Sequence, residues 1–282
     1  MRAFFSRAIL RFAQAAARAP AIVIEERMKL QYAGATHVGM KRDHNEDDLM
    51  MAPEMNLFVV ADGMGGHSSG EVASKIAVDT LKSFYEDTEG DDEVTWPFKL
   101  DREMGYDENR LTAGVKLANR NIFEAAQADS RYKGMGTTCV GMVWVDEKVV
   151  VGHVGDSRAY RIRGNEIVQV TEDHSLLNDY KKIQALTPEE EDAFQYKNII
   201  VRALGMKDAV LVDIEQEAPE VGDILLLCSD GLSGEVTDPD MLKIVNDSID
   251  DLDAAVNTLI KVACDNGGKD NVTVILVKYL GV

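Results

Sequence analysis

Three apolar runs of strand length along the chain each lead to an aspartate. Leu57-Phe58-Val59-Val60-Ala61 runs into Asp62-Gly63, Ile224 to Cys228 runs through Ser229 into Asp230-Gly231, and Val149-Val150-Val151 runs through Gly152-His153-Val154-Gly155 to Asp156. Short continuous apolar runs bounded by turn residues read as strands. Each such strand holds an acid at a rigid edge. Asp270 stands in the converse place, just before the apolar run that starts at Val272. In an antiparallel sheet the start of one strand lies beside the end of its neighbour. With the cluster Asn45-Glu46-Asp47 upstream of the Asp62 strand, five segments are able to bring carboxylates to one rim.

The remaining pattern predicts the elements around that rim. Leu30 to Val38 reads as a first strand, and residues 39–48 as a polar turn. After Asp62 the glycines Gly63, Gly65 and Gly66 suggest positive φ and close approach of the backbone to a ligand. Ser68 followed by Glu71 is a capping-box pattern for a helix from about Glu71 to Phe84. Residues 86–110 read as an acidic surface excursion, and Leu111 to Ala128 has helical spacing. Strands and hairpins are expected over residues 137–171, with turns at Asp146-Glu147 and Gly164-Asn165. Residues 171–195 are polar, with a small helix expected after Thr187-Pro188. A short apolar element at Ile199 to Val201, helices near 238–247 and 251–265 and a final strand complete the chain. Strands come in runs joined by connections mostly too short for helical crossovers, which favours antiparallel sheets with helices outside, an α+β sandwich.

Composition narrows the chemistry. A 45% hydrophobic fraction in 282 residues is ample for a core. The 49 acids against 30 bases give a formal net charge of -19, which disfavours nucleic acid as a partner. Cys139, Cys228 and Cys264 lie far apart within or beside apolar runs and lack metal-ligand spacing. They read as reduced core residues of a cytoplasmic protein. No stretch approaches the ~18 uninterrupted apolar residues of a membrane-spanning helix.

Carboxylates gathered at one rim repel and raise one another's pKa unless a cation compensates. Oxygen ligands without cysteine or clustered histidine suit Mg²⁺ or Mn²⁺. Two such ions roughly 3.5–4 Å apart activate water and clamp a phosphoryl group during in-line attack. Any one of these acids taken alone reads equally well as a solvated turn residue. The joint pattern does not.

Six motifs in order carry a resemblance: residues 39–47 from Gly39 to Asp47, Val60-Ala61-Asp62-Gly63-Met64-Gly65-Gly66-His67, Gly134-Met135-Gly136-Thr137-Thr138, Gly155-Asp156-Ser157-Arg158, Cys228-Ser229-Asp230-Gly231-Leu232 and Asp270-Asn271-Val272-Thr273. Together they resemble the signature set of metal-dependent, type 2C protein serine/threonine phosphatases, the bacterial branch in particular, from about Gln31 onward. The resemblance implies two packed antiparallel sheets flanked by helices, a four-layer α/β/β/α sandwich. It implies hydrolysis of phosphoserine and phosphothreonine in proteins by direct attack of a metal-bridging hydroxide, with phosphoproteins made by a serine/threonine kinase as partners in signal transduction. Asp62 would bridge two Mn²⁺ or Mg²⁺ ions, the Gly63 carbonyl would bind the first, and Asp230 and Asp270 would complete the second. Glu46 and Asp47 would ligate or hold metal-bound water, and Asp156 with Asp230 resembles a weaker third site. Arg42 resembles the arginine that grips the substrate phosphate, a task its fork suits, so Arg42 and Asp47 are the expected catalytic residues.

Met64 stands where many eukaryotic relatives have a histidine proposed as general acid, and His67 is offset from that place. His153 reads as a core or supporting residue, and Arg158 and Arg202 as structural salt-bridge residues rather than phosphate ligands. Competing readings are another two-metal phosphoesterase, against which the acidic balance argues, and a non-catalytic regulatory module, which would be expected to lack some of the acids.

The resemblance leaves out the N-terminus, so the chain divides into a basic amphipathic segment, 1–29, and a catalytic domain, 30–282. Arg2, Arg7, Arg11 and Arg18 are the only charged side chains of residues 1–24, which carry +4 and leave -23 of the total -19 elsewhere. At ~100° per residue Phe5, Ile9, Phe12 and Ala16 share one helical face, and Arg7, Arg11 and Arg18 the opposite one. Peripheral membrane contact is one reading of this pattern. Docking on the acidic domain and a disordered leader are the others.

Overall fold

The computed structural model describes residues 29–65, 69–90, 96–196 and 199–281. Two antiparallel sheets face each other. The first runs in the order β1 (Leu30–His37), β11 (Val272–Tyr279), β10 (Ile224–Cys228), β7 (Arg158–Arg163), β8 (Glu166–Gln169). The second runs β2 (Asp47–Ala52), β3 (Leu57–Met64), β5 (Cys139–Val145), β6 (Lys148–Val154), β9 (Asp213–Glu217), with the two-residue β4 (Gly136–Thr137) beside the end of β3.

Three apolar layers hold the sandwich together. Phe58, Val60, Met142, Trp144 and Val151 of the second sheet meet Leu225, Leu227, Ile275 and Val277 of the first between the sheets. Outside the second sheet lie α1 (Ser69–Asp87) and α2 (Tyr106–Ala128), which bury Leu81, Leu111 and Ile122 with Leu57 and Val59. Outside the first lie the short α5 (Asp230–Ser233), α6 (Asp238–Asp247) and α7 (Leu252–Asp265), which bury Leu232, Met241, Val256 and Leu259 with Leu226 and Val274. Because β3, β5, β6, β10 and β11 are covered on both faces, they read as continuous apolar runs rather than alternating ones. The four-layer α/β/β/α arrangement matches the sequence expectation.

Local departures have physical causes. The expected turn over residues 39–48 gives way at Asp47 to strand β2, whose six residues pair with β3 from Asp47↔Asp62 to Ala52↔Leu57. The polar stretch after Thr171 contains α3 (Leu176–Ile183), capped by Ser175, as well as the expected small helix α4 (Pro188–Asp192). Ile199 to Val201 forms only an isolated bridge, Ser175↔Ile200. Strand β9, with three acids in five residues, lies at a sheet edge where polar side chains reach water. Cys139 and Cys228 are buried, whereas Cys264 on α7 is only partly buried and packs against the edge of the outer core. Ser68 and His67, and with them the capping box, lie outside the described residues, as does the whole segment 1–28.

Candidate metal centre

Strand alternation aims the acids. In β3 Leu57, Val59 and Ala61 face the helices, whereas Phe58 and Val60 face the opposite sheet. The period of two therefore sends Asp62 into the inter-sheet space, one step beyond Val60. Leu49 and Met51 place Asp47 on the same side in β2, and Ile275 and Val277 place Thr273 there in β11. The site is the polar mouth of a hydrocarbon interior.

Asp47 spans that mouth. Its Oδ2 accepts hydrogen bonds from Ser229 Oγ at 2.8 Å and Thr273 Oγ1 at 2.6 Å, both on the opposite sheet's side. Asn45 supports this arrangement by donating to Thr36 Oγ1, which lies 2.7 Å from Thr273 Oγ1. Asp62 is fixed through its main chain: its N–H donates to Thr138 Oγ1 at 3.0 Å, and its carbonyl accepts from Thr138 N at 2.8 Å. Thr138 Oγ1 is also 2.7 Å from Ser157 Oγ, which ties the Asp62 strand to the Asp156 turn.

Glu46 reaches the first turn of α1, where its Oε1 accepts from Gly70 N at 3.2 Å, while its carbonyl accepts from Gly63 N at 3.1 Å and Ser74 Oγ at 2.6 Å. A Cβ on Gly63 would lie 2.2 Å from the Gly70 carbonyl oxygen and 2.4 Å from that of Glu46. Gly63 and Gly65 do not have positive φ; at Gly63 it is the close approach, not left-handed backbone, that requires glycine. Asn271 closes the arrangement by accepting from Glu46 N and donating to the carbonyls of Val38 and His44, while its own N–H donates to Asp270 Oδ1. Arg42, half exposed, places Nη2 2.6 Å from Asp270 Oδ2.

Electrostatics is the signature of the cluster. Burial pushes the Asp62 carboxyl well above the usual range, and Asp47, Asp230, Asp156 and Asp270 push it further in the same direction. Asp47 and Asp156 are each pushed up to about 7, in both cases mainly by burial; at Asp47 the Thr273 and Ser229 hydroxyls pull the other way while Asp230 and Asp270 add to the rise, and at Asp156 Asp230 and Asp173 add to it against Arg158. Asp230 is raised by burial and by Asp270. Asp47 Oδ1, Asp156 Oδ1 and Asp230 Oδ1 are buried without a hydrogen-bond partner. Orphaned anionic oxygens facing one another are costly unless a cation fills the charge deficit. An all-oxygen donor set of this kind fits Mn²⁺ or Mg²⁺.

A groove of about 670 Å³ opens from Asp156, Asp230 and Asp270 and runs between Leu177, Asn178 and Lys181 of α3 and the Gly234-Glu235 turn. A smaller cavity of about 110 Å³, under Phe98 and Met104, shares no lining residue with it.

The structure thus brings Arg42, Glu46, Asp47, Asp62, Gly63, Asp156, Asp230 and Asp270 together. Arg158 and Arg202 are elsewhere engaged, Arg158 forking onto Asp173 at 2.7–3.1 Å and Arg202 pairing with Asp213. His153 is buried, as expected. Sequence reasoning assigned no role to Thr138, Ser229, Asn271 or Thr273, although all four lie inside the quoted motifs. For Thr273 the signal is the alternation of β11, which places a small hydroxyl side chain on the inter-sheet face; Thr138, Ser229 and Asn271 flank strand ends and carry only their place beside the acids.

The protein phosphatase 2C family model matches residues 33–267. The chain belongs to the protein phosphatase 2C family. Protein phosphatase PhpP of Streptococcus pneumoniae is 38% identical over 247 residues, covering 86% of this chain and 94% of that protein. Among solved structures, the S. agalactiae serine/threonine phosphatase matches this 2C chain with a TM-score of 0.78 and 33% identity, covering 89% and 100% of the two chains. The catalytic domain of serine/threonine protein phosphatase PstP, solved in complex with two manganese ions, matches with a TM-score of 0.75 and 31% identity, covering 89% and 98%. A two-manganese relative agrees with the donor set of this phosphatase 2C site.

Proposed function

We infer that this protein phosphatase 2C hydrolyses phosphoserine and phosphothreonine in proteins, with Mn²⁺ or Mg²⁺ as cofactor. The observation that carries the reading is the set of buried carboxylates with unpartnered oxygens at the head of a polar groove, beside a half-exposed arginine. Asp62, Asp230, Asp270, Glu46 and the Gly63 carbonyl are the groups that would hold two ions, and Asp156 with Asp230 a weaker third. When bound, the ions act as Lewis acids that lower the pKa of water and neutralise phosphoryl charge. Asp47, with Oδ2 held by two hydroxyls and Oδ1 bare, offers that bare oxygen as a proton acceptor. Arg42 supplies a planar fork for the phosphate, and it is free to turn there once a cation takes over Asp270. The groove admits the residues flanking the phosphorylated side chain.

Phosphate release from a phosphothreonine peptide in Mn²⁺, compared with the same enzyme in chelator, tests the reading. Undiminished turnover in chelator would overturn it. In that assay Arg42→Ala is expected to lower kcat/KM by about 10–100-fold, the effect of losing one charge-assisted hydrogen-bonded contact. A rise in KM with little change in kcat would place the contact in the ground state. An unchanged kcat/KM removes Arg42 from the phosphate.

The phosphoproteins are, in this reading, products of a serine/threonine kinase, and the catalytic domain begins at residue 30, where β1 opens. No helix among the described residues is long and apolar enough to cross a membrane. For residues 1–24 the arginine-bearing face supports peripheral attachment to anionic lipid. Co-sedimentation with anionic vesicles should then be stronger for the full chain than for one starting at Glu25. Equal partitioning of the two rules the segment out as an anchor.

A further inference from the structure

Beside the Asp156 turn, and outside the carboxylate cluster, lies a second polar knot. His174, buried at 5% exposure, stands at the base of the segment that contains α3 and α4. The two ends of that segment are zipped together, with Val201 N–H donating to the His174 carbonyl at 2.9 Å and Leu176 N–H to the Ile199 carbonyl at 2.8 Å. His174 also grips Gly155 twice. Its N–H donates to the Gly155 carbonyl at 2.9 Å, and its ring Nδ1 accepts from Gly155 N–H at 3.0 Å. Gly155 is the residue before Asp156 and sits at φ +112, where an added Cβ would lie 2.6 Å from Thr138 Cγ2. Side chains other than glycine rarely adopt that backbone.

The tautomer of His174 follows from these bonds. A backbone N–H only donates, so Nδ1 carries the lone pair and the neutral ring has its proton on Nε2. That proton points to Asp213 Oδ2, 3.0 Å away. Arg202 Nη1 donates to the other oxygen of Asp213 at 2.5 Å and to the Leu211 carbonyl at 3.3 Å, so with the proton on Nε2 its 3.0 Å approach to His174 Nε2 is a contact between two donors that both point to Asp213, not a hydrogen bond. The charged and titratable groups facing the ring are therefore Asp213 from β9, Arg202 from beyond α4 and His153 from β6. His153 stacks on it with ring centroids 4.7 Å apart and planes 18° from parallel, and donates from Nε2 to the Glu172 carbonyl.

His153, His174 and Asp213 carry metal-ligand atoms within 4.8 Å of one another, yet they are not arranged for an ion. The lone pairs of imidazoles lie in the ring planes, and two stacked, near-parallel planes do not converge on one point. Arg202 already neutralises Asp213. The knot is a hydrogen-bonded clamp.

We propose that His174 is a positioning residue that fastens the α3–α4 segment to the Asp156 turn, and that it does so only in its neutral form. A second proton has one place to go, Nδ1, where it meets Gly155 N–H donor to donor and breaks the grip on the turn. Burial lowers the His174 pKa below its ordinary 6.5, with His153 and Arg202 acting in the same direction and Asp213 against them. The clamp is accordingly closed near neutrality and opens as pH falls below 6.5. The link to cation binding rests on the reading of Asp156 as a ligand of the weaker third ion.

The test compares His174→Asn, His174→Gln and His174→Leu in the full chain. Asparagine puts an amide oxygen near the place of Nδ1 and does not titrate, glutamine reaches only toward Asp213, and leucine does neither. Amide hydrogen exchange over residues 176–196, corrected for intrinsic rates, reads the clamp. In the unsubstituted protein protection should fall about tenfold across two pH units spanning the titration, following the neutral fraction of the ring. His174→Asn should hold its protection constant over that range, and His174→Gln and His174→Leu should be weakly protected throughout. If His174→Asn follows the pH profile of the unsubstituted protein, or His174→Gln is as well protected at pH 7.5, the clamp is refuted. Mn²⁺ titration by electron paramagnetic resonance separates the second reading. Asp156→Asn should lose the weak ion and keep segment protection, whereas His174→Leu should weaken that ion severalfold and leave the two tight ions unchanged. Loss of no ion in Asp156→Asn would discard the ligand assignment while leaving the clamp to stand or fall on exchange.

Discussion

Asp62→Asn is expected to lower turnover of a phosphothreonine peptide by at least about 10³-fold, equivalent to about 4 kcal/mol of transition-state stabilisation. At the same time it should raise the melting temperature of the ion-free protein by a few degrees, since each ~1 kcal/mol shifts a chain of this size by about 2–4 °C. The two effects share one cause. Asp62 is buried among Asp47, Asp156, Asp230 and Asp270, so its charge is unfavourable in the ion-free fold and necessary for holding cations. An amide of the same shape removes the repulsion and the ligand together. Asp230→Asn and Asp270→Asn should follow the same pattern, although Asp270→Asn also strands Arg42, its partner at 2.6 Å, and should gain less. A substitution that lowered activity and stability in parallel would point to simple misfolding and count against this account.

The second large effect concerns pH. Asp47 and Asp156 are each pushed up to about 7, whereas in the unfolded chain an aspartate titrates near ~3.9. Between those values the folded protein binds more protons than the unfolded one, so stability falls as pH rises through that window. The stabilising protonation is complete below the unfolded value and lost as pH passes the folded one. The ion-free enzyme should therefore melt higher at pH 5.5 than at pH 8. His174 works in the opposite sense but contributes a single group. Mn²⁺ at pH 8 should reverse the trend: saturation to ~100 Kd adds about 2.7 kcal/mol per site, hence on the order of 10 °C for two sites. Calorimetric scans at both pH values with chelator and with Mn²⁺ check this. A chelated protein whose melting point ignores pH would show that the buried acids are not the source of the charge stress.

Much of this centre was legible because acids at the ends of apolar runs are hard to explain otherwise. Asp62, Asp230 and Asp270 announce themselves in that way. Asp47 belonged to a suspected turn instead, because β2 is only six residues long and opens with two acids, and its strand character depends on pairing with β3. The glycine pattern suggests positive φ and close approach to a ligand, whereas the approach Gly63 permits is to the backbone of Gly70 and Glu46, which no local pattern reveals. The His174 clamp draws on β6, β9 and both ends of the α3–α4 segment. Its hydrogen bonds join residues 19, 28 and 39 positions apart, distances over which propensity and periodicity are silent.

The inter-sheet bonds of Asp47 carry a consequence for how the enzyme comes into being. They join partners 182 and 226 positions apart in sequence, and the later one, Thr273, lies on β11. That strand sits between β1 and β10, so the first sheet cannot close until residues 272–279 have left the ribosome. A chain that ends before Val272 is therefore expected to keep most of the acids and to lack the strand that closes the centre. Such a truncated chain is expected to be inactive however many of the upstream acids it retains, because strand order, not the acids alone, builds the centre.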